Sequence, residues 1–192
     1  MKKLIILIIA VIIGIGLFFM FKKDAPNPTI ILKTNKGNIA IELFVNKTPK
    51  TAGNFLKLAQ EGFFDGIKFH RVINNFVIQG GDPNSKGTDK ISYGRGGPGY
   101  TIEDEFVKGL SNVRGTISMA NTGQPNSGGS QFFINLTDNT GLDFDKPPEQ
   151  SSHPVFGQVI SGMEIVDKIA IVKVDQSGIP LEPVVIEKVV VQ

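Results

Sequence analysis

Three regimes of hydrophobic patterning divide the chain. The first, residues 4–21, is a run of 18 residues with no charged or strongly polar side chain, flanked by Lys2 and Lys3 and by Lys22 and Lys23. As a helix rising about 1.5 Å per residue it would span about 27 Å, enough to cross a bilayer core. In the second regime, short apolar segments alternate with turn residues. Residues 30–33 and 38–43 read as strands joined by a turn at Asn35-Lys36-Gly37. Ala52, Phe55, Leu56 and Ala59 follow the i, i+3, i+4, i+7 spacing of a helix that Thr48 caps, Pro49 opens and Gly62 ends. Strands are predicted again at 68–72, 76–79, 116–120, 132–136, 155–159 and 184–191, with a second helix over 163–169. The third regime, residues 80–115, is rich in glycine and lacks periodicity, which predicts ordered loop.

Several of these strands are apolar along their whole length, so both of their faces must be covered. A small closed β-barrel with helices over its open ends meets that demand. The chain therefore divides into an apolar segment at 1–23, a linker at 24–28 and one folded domain at 29–192. Pro26 and Pro28 favour an extended path through the linker.

The apolar segment admits three readings. A cleaved leader needs small residues just before its cleavage site, and Gly16-Leu17-Phe18-Phe19-Met20-Phe21 is bulky. A buried amphipathic helix would carry a polar face, and this run has none. The segment reads best as an uncleaved signal anchor, a single transmembrane helix. The lysine balance favours the N-terminus inside and the domain on the extracytoplasmic side.

Charge follows from this division. Lys2, Lys3, Lys22 and Lys23 hold four of the 20 basic residues, so residues 24–192 carry 16 against 18 acidic ones and a net charge of −2. A near-neutral domain gives no electrostatic reason to expect nucleic acid as a partner. The chain has no cysteine, which excludes disulfides and a lipid-modified cysteine anchor.

Candidate chemistry narrows quickly. Two histidines and no cysteine give no zinc-type cluster, so no metal site is expected. No nucleophile elbow or phosphate-binding loop is present. Gly94-Arg95-Gly96-Gly97-Pro98-Gly99 matches a dinucleotide fingerprint literally, but Pro98 and the polar stretch 100–105 argue for a loop where a helix is required. The distinctive stretches are Phe69-His70-Arg71-Val72-Ile73-Asn74-Asn75-Phe76-Val77-Ile78-Gln79-Gly80-Gly81-Asp82, then Met119-Ala120-Asn121, then Gly128-Gly129-Ser130-Gln131-Phe132-Phe133-Ile134. Thr48 to Phe55, Ile102 to Phe106 and Val155 to Val159 accompany them. In these motifs and their order, the chain from about Thr29 to Gln192 closely resembles the cyclophilin family of peptidyl-prolyl cis-trans isomerases. The resemblance implies an eight-stranded antiparallel barrel capped by two helices.

The residues suit the chemistry so implied. Rotating an X-Pro bond breaks amide conjugation across a barrier of about 18–20 kcal/mol. In the twisted state the nitrogen becomes basic, so a catalyst needs a donor beside it, an apolar slot for the ring and an anchor for the carbonyl side. It needs no cofactor. Arg71 is a permanent donor with a planar fork of N–H groups, which Gln79 can orient. By the resemblance, Arg71 and Gln79 are the catalytic pair. Phe76, Val77, Phe133, Leu142 and His153 form the proline slot, and Ala120, Asn121 and Gln131 contact the peptide backbone. Proline-containing polypeptides are the expected partners, and a monomer is the expected state. Three features depart from the family pattern: Val77 replaces a common methionine, Gly141 stands where many members carry an aromatic residue, and the segment 144–152 is long. A membrane-tethered peptide-binding chaperone module with incidental isomerase activity is the competing reading.

Overall fold

The computed structural model describes residues 25–146 and 152–192. The expected transmembrane helix at 1–23 lies outside the described residues. Among those described, no helix is long and apolar enough to cross a membrane. Eight strands are present: β1 (Thr29–Thr34), β2 (Gly37–Leu43), β3 (Arg71–Ile73), β4 (Val77–Gly80), β5 (Thr116–Met119), β6 (Phe132–Asn135), β7 (Val155–Ser161) and β8 (Ile186–Val191). Helix α1 (Pro49–Gln60) follows β2, and α2 (Met163–Ala170) follows β7. The region expected to be loop contains two 3-10 turns, Pro83–Lys86 and Lys90–Ser92.

The strands form one antiparallel sheet in the order β3-β4-β6-β5-β7-β2-β1-β8, curled into a half-barrel. The expected closed barrel is corrected at the seam between its ends. Residues 66–69 do run beside 184–186, with a bridge at Lys68 and Val185 and a bond from Phe69 N to Val184 O at 2.9 Å. However, β3 starts only at Arg71, and there Val72 N donates instead to Gly178 O at 2.8 Å. The chain entering β8 has by then turned away, so β3 and β8 never form a ladder.

Period-2 alternation sorts the strand residues into two faces. Val72, Ile78, Ile117, Phe132, Ile134 and Phe156 point inward to the main core. That core centres on Phe55 of α1, whose ring lies 4.5 Å from Phe64, 5.3 Å from Phe132 and 5.2 Å from Phe156. Each buried phenylalanine contributes roughly 1.5–3 kcal/mol by leaving water. The opposite face carries Arg71, Val77, Gln79, Phe133 and Val155. Val77, Phe133 and Val155 are also buried, but they stand outside the main core. This second apolar layer explains why β5 and β6 are buried at every position.

Thr48 sits at the helix N-cap position, but its hydroxyl donates back to Phe44 O at 3.0 Å and does not cap the helix. Gly81 makes a close crossing. Its φ is +86°, and a Cβ there would lie 2.2 Å from Ser130 O. Only glycine lets the end of β4 pass this near the chain entering β6.

Candidate active site

Strand pairing brings the polar residues together. Arg71 and Gln79 are direct cross-strand partners between β3 and β4, and Gln79 is opposite Phe133 of β6. Directly opposed residues share a face. Arg71 Nη1 accordingly donates to Gln79 Oε1 at 3.1 Å. Gln79 Nε2 donates to Gln131 Oε1 at 3.1 Å, and Gln131 Nε2 donates to Gly96 O at 2.8 Å. These bonds fix each amide's orientation in turn, from the loop inward to the guanidinium. Arg71 is half-buried, and this desolvation lowers its pKa from the ordinary arginine value.

The apolar candidates lie on the same strands and the segments beside them. Val77 and Phe133 are exposed by only 2% and 4%. Phe76, Leu142 and His153 are half-buried, and His153 N donates to Leu142 O at 2.9 Å. The His153 ring meets Phe133 edge-to-face at 5.2 Å. Its Nδ1 lies 3.0 Å from Met119 O; a carbonyl only accepts, so Nδ1 carries the proton. Burial pushes the His153 imidazole below its ordinary range, while the Met119 carbonyl and the charge of Asp104 pull the other way.

Ala120, Asn121 and Gln131 line a neighbouring cavity of about 420 Å³, with Gln79 and the Gly94–Pro98 loop among its other walls. Ala120 N donates to Gln131 O at 2.9 Å. Asn121 Nδ2 donates to Ser152 O at 2.8 Å. The glycine-rich loop has neither the preceding strand nor the following helix of a dinucleotide site. It serves as a wall: a Cβ at Gly96 would lie 2.2 Å from Asp82 Oδ1. Among the described residues, no cluster of His, Cys, Asp or Glu is arranged to hold a metal ion.

Sequence reading missed a polar network that links these residues. Asn139 Nδ2 donates to Phe76 O at 2.9 Å and to Asn135 Oδ1 at 2.8 Å. Asn135 Nδ2 reaches Thr116 Oγ1 at 3.0 Å and Asn112 Oδ1 at 3.3 Å. Asn112 Nδ2 then donates to Asp143 Oδ1 at 2.9 Å and, at 3.2 Å each, to the carbonyls of Leu142 and His153. One largely buried polar chain thus ties the backbone at Phe76 to the backbone at Leu142 and His153. The available signal was polar Asn135 ending an otherwise apolar strand.

Comparisons with known proteins identify the family. Residues 29–191 match the family described as cyclophilin type peptidyl-prolyl cis-trans isomerase/CLD. A peptidyl-prolyl cis-trans isomerase of Acinetobacter baylyi is 43% identical over 162 residues, covering 82% of each chain. One from Schizosaccharomyces pombe is 44% identical over 163 residues, covering 83% of this chain and 96% of its own. The crystal structure of a cyclophilin type isomerase from Cryptosporidium parvum superposes with a TM-score of 0.76 at 32% identity, covering 86% of this chain and 98% of that one. A second structure of that protein, determined in the presence of the dipeptide Ala-Pro, gives 0.75. The chain belongs to the cyclophilin-type peptidyl-prolyl cis-trans isomerases, and its activity is the isomerisation of X-Pro bonds.

Proposed function

We propose that Arg71 drives the rotation by donating to the proline nitrogen as the bond twists, while Val77 and Phe133 seat the ring and Phe76, Leu142 and His153 enclose it. The observation that carries this reading is the bonded row Arg71–Gln79–Gln131, whose Gln79 lies directly opposite Phe133 in the sheet. In the planar amide the nitrogen lone pair is delocalised and accepts poorly; in the twisted state it accepts well. A donor held beside it therefore stabilises the transition state more than either ground state, and only that difference accelerates the reaction. Gln79 acts through Arg71, as a positioning residue. Ala120, Asn121 and Gln131 hold the client backbone along the adjoining cavity. His153 is a neutral wall and transfers no proton. Rotation breaks no σ bond, so the chemistry calls for neither metal nor cofactor. The substrates are proline-containing polypeptides, in keeping with the relative studied with Ala-Pro.

The same proposal assigns residues 1–23 as a signal anchor and 24–28 as a linker, with the domain at 29–192 acting as a monomer on the extracytoplasmic side. It is supported by the 18-residue apolar run and its lysine flanks. The test is the full chain expressed in cells. It should sediment with membranes, resist carbonate extraction, and accelerate isomerisation of an X-Pro peptide when solubilised in detergent. Protease should digest the domain from the extracytoplasmic face of intact cells. A mature N-terminus near Asp24 would remove the anchor, and an inactive solubilised chain would remove the assigned catalytic role of Arg71.

A further inference from the structure

Two cavities meet at the Gln79 side chain; the catalytic reading lays the client backbone along the one lined by Ala120 and Asn121, and Arg71 alone of its donors faces the other. The other, about 520 Å³, lies on the Arg71 side, and its walls include His70, Arg71, Lys90, Tyr93, Arg95 and Ser177. Three permanent or near-permanent cations thus face one space. The carboxylates around it are largely engaged. Asp82 accepts from the backbone N–H groups of Asn84 and Gly94, and Asp89 accepts from Ile91 N. Asp175 accepts from Ser177 N and Ile179 N, and its Oδ2 stands 4.0 Å from Lys90 Nζ. Among the described residues neither Arg71 nor Arg95 forms an ion pair.

His70 supplies an independent observation. It is only 4% exposed, and neither ring nitrogen meets a partner in hydrogen-bond geometry. Burial lowers its pKa most; Asp82 pulls it up, Arg71 pushes it down and the nearby Lys68 carbonyl raises it least, so the ring is neutral near pH 7. A buried imidazole left unbonded is costly, and an acceptor oxygen entering the cavity would relieve it. Ile91, 78% exposed, stands at the mouth and offers apolar contact to the methylenes of an entering side chain.

We propose that this cavity is a subsite for an acidic side chain of the client, so that the enzyme favours X-Pro bonds with Asp or Glu a few residues away. The favoured flank is the one leading from Arg71 away from Ala120 and Asn121. The inference rests on the reading that places the proline beside Arg71. Lys90 and Arg95 are exposed, so the gain is modest, roughly three- to tenfold in kcat/KM at low salt.

The test uses the full chain in detergent and peptides carrying one Glu at each of three positions on either side of the proline, each matched by a Gln peptide. Glu on one flank should raise kcat/KM by roughly three- to tenfold over Gln, and about 0.5 M salt should erase the gain. In the double variant Lys90→Gln, Arg95→Gln the Glu-to-Gln ratio should fall to near one. Equal rates for every Glu and Gln pair, with the Gln peptides turned over normally, would overturn the subsite and leave the isomerase reading intact. A ratio that survives in the double variant would place the preference elsewhere. Gln peptides that are not turned over at all would overturn both readings.

Discussion

Replacing Asp143 by alanine should loosen both the domain and its slot. The Asp143 carboxylate is 6% exposed and accepts from Ser111 Oγ, from Asn112 N at 2.8 Å and from Asn112 Nδ2 at 2.9 Å. Hydrogen bonds to a charged group contribute roughly 1.5–3 kcal/mol each. Removing the carboxylate also leaves the Asn112 N–H buried without an acceptor, at roughly 1–3 kcal/mol. Against these losses, the variant no longer desolvates a carboxylate, which returns several kcal/mol. The balance is a destabilisation of about 3 kcal/mol, or roughly 6–12 °C in Tm for a domain of this size. The catalytic effect should be selective. Asn112 also holds the carbonyls of Leu142 and His153, so a shifted Asn112 displaces one wall of the slot. KM should rise several-fold more than kcat falls, because Arg71 is tied to Gln79 and not to this network. Asp143→Asn keeps one acceptor and should lie between. Thermal melts of the full chain in detergent, with isomerisation kinetics below Tm, measure both effects. A Tm within about 1 °C of the parent would refute the energetic argument. A lowered Tm with unchanged KM would refute the link between this network and the slot.

Other expectations concern pH. Burial lowers the pKa of both His70 and His153 in the folded state, while in the unfolded chain they titrate near about 6.5. The unfolded state therefore binds more protons as pH falls below that value, so their contribution is complete above about 6.5 and is lost toward the folded pKa; Tm should drop across this window, and less so in His153→Phe. The rate should be flat between about pH 6 and 8, since arginine does not titrate there, and a steep change that disappears in His153→Phe would make His153 a proton carrier.

Most of the fold was legible because it is written locally. The apolar stripe Ala52, Phe55, Leu56, Ala59 did mark α1, and the strand-like segments became strands with edges moved by a few residues. The strand expected at 68–72 shows what local pattern omits. Lys68 makes only an isolated bridge to Val185, and the ladder with β4 begins at Arg71. Side-chain alternation cannot say which neighbour a strand will find, and the same ignorance produced the expectation of a closed barrel. Within the site, the contiguous motif containing Arg71, Phe76, Val77 and Gln79 was readable, since a short hairpin fixes their geometry. Asn112, Asp143 and Asn139 were not. Each is a single polar residue in a loop, and its role exists only because β4, β5 and β6 bring residues far apart in sequence beneath one slot.

The central claim is that Arg71 stabilises the twisted amide and does not merely hold the substrate. It is tested most directly by Arg71→Ala in the full chain, measuring kcat/KM for an X-Pro peptide alongside the Kd of the same peptide. The account predicts a loss of about 10²–10³ in kcat/KM, equivalent to about 2.7–4 kcal/mol of transition-state stabilisation, as for removal of one oxyanion-hole donor. The Kd should change far less, because Val77 and Phe133 still seat the ring, and Arg71→Lys should recover little, because an ammonium lacks the planar fork that Gln79 orients. Undiminished kcat/KM in Arg71→Ala, or a loss matched fully by weaker peptide binding, would contradict the account.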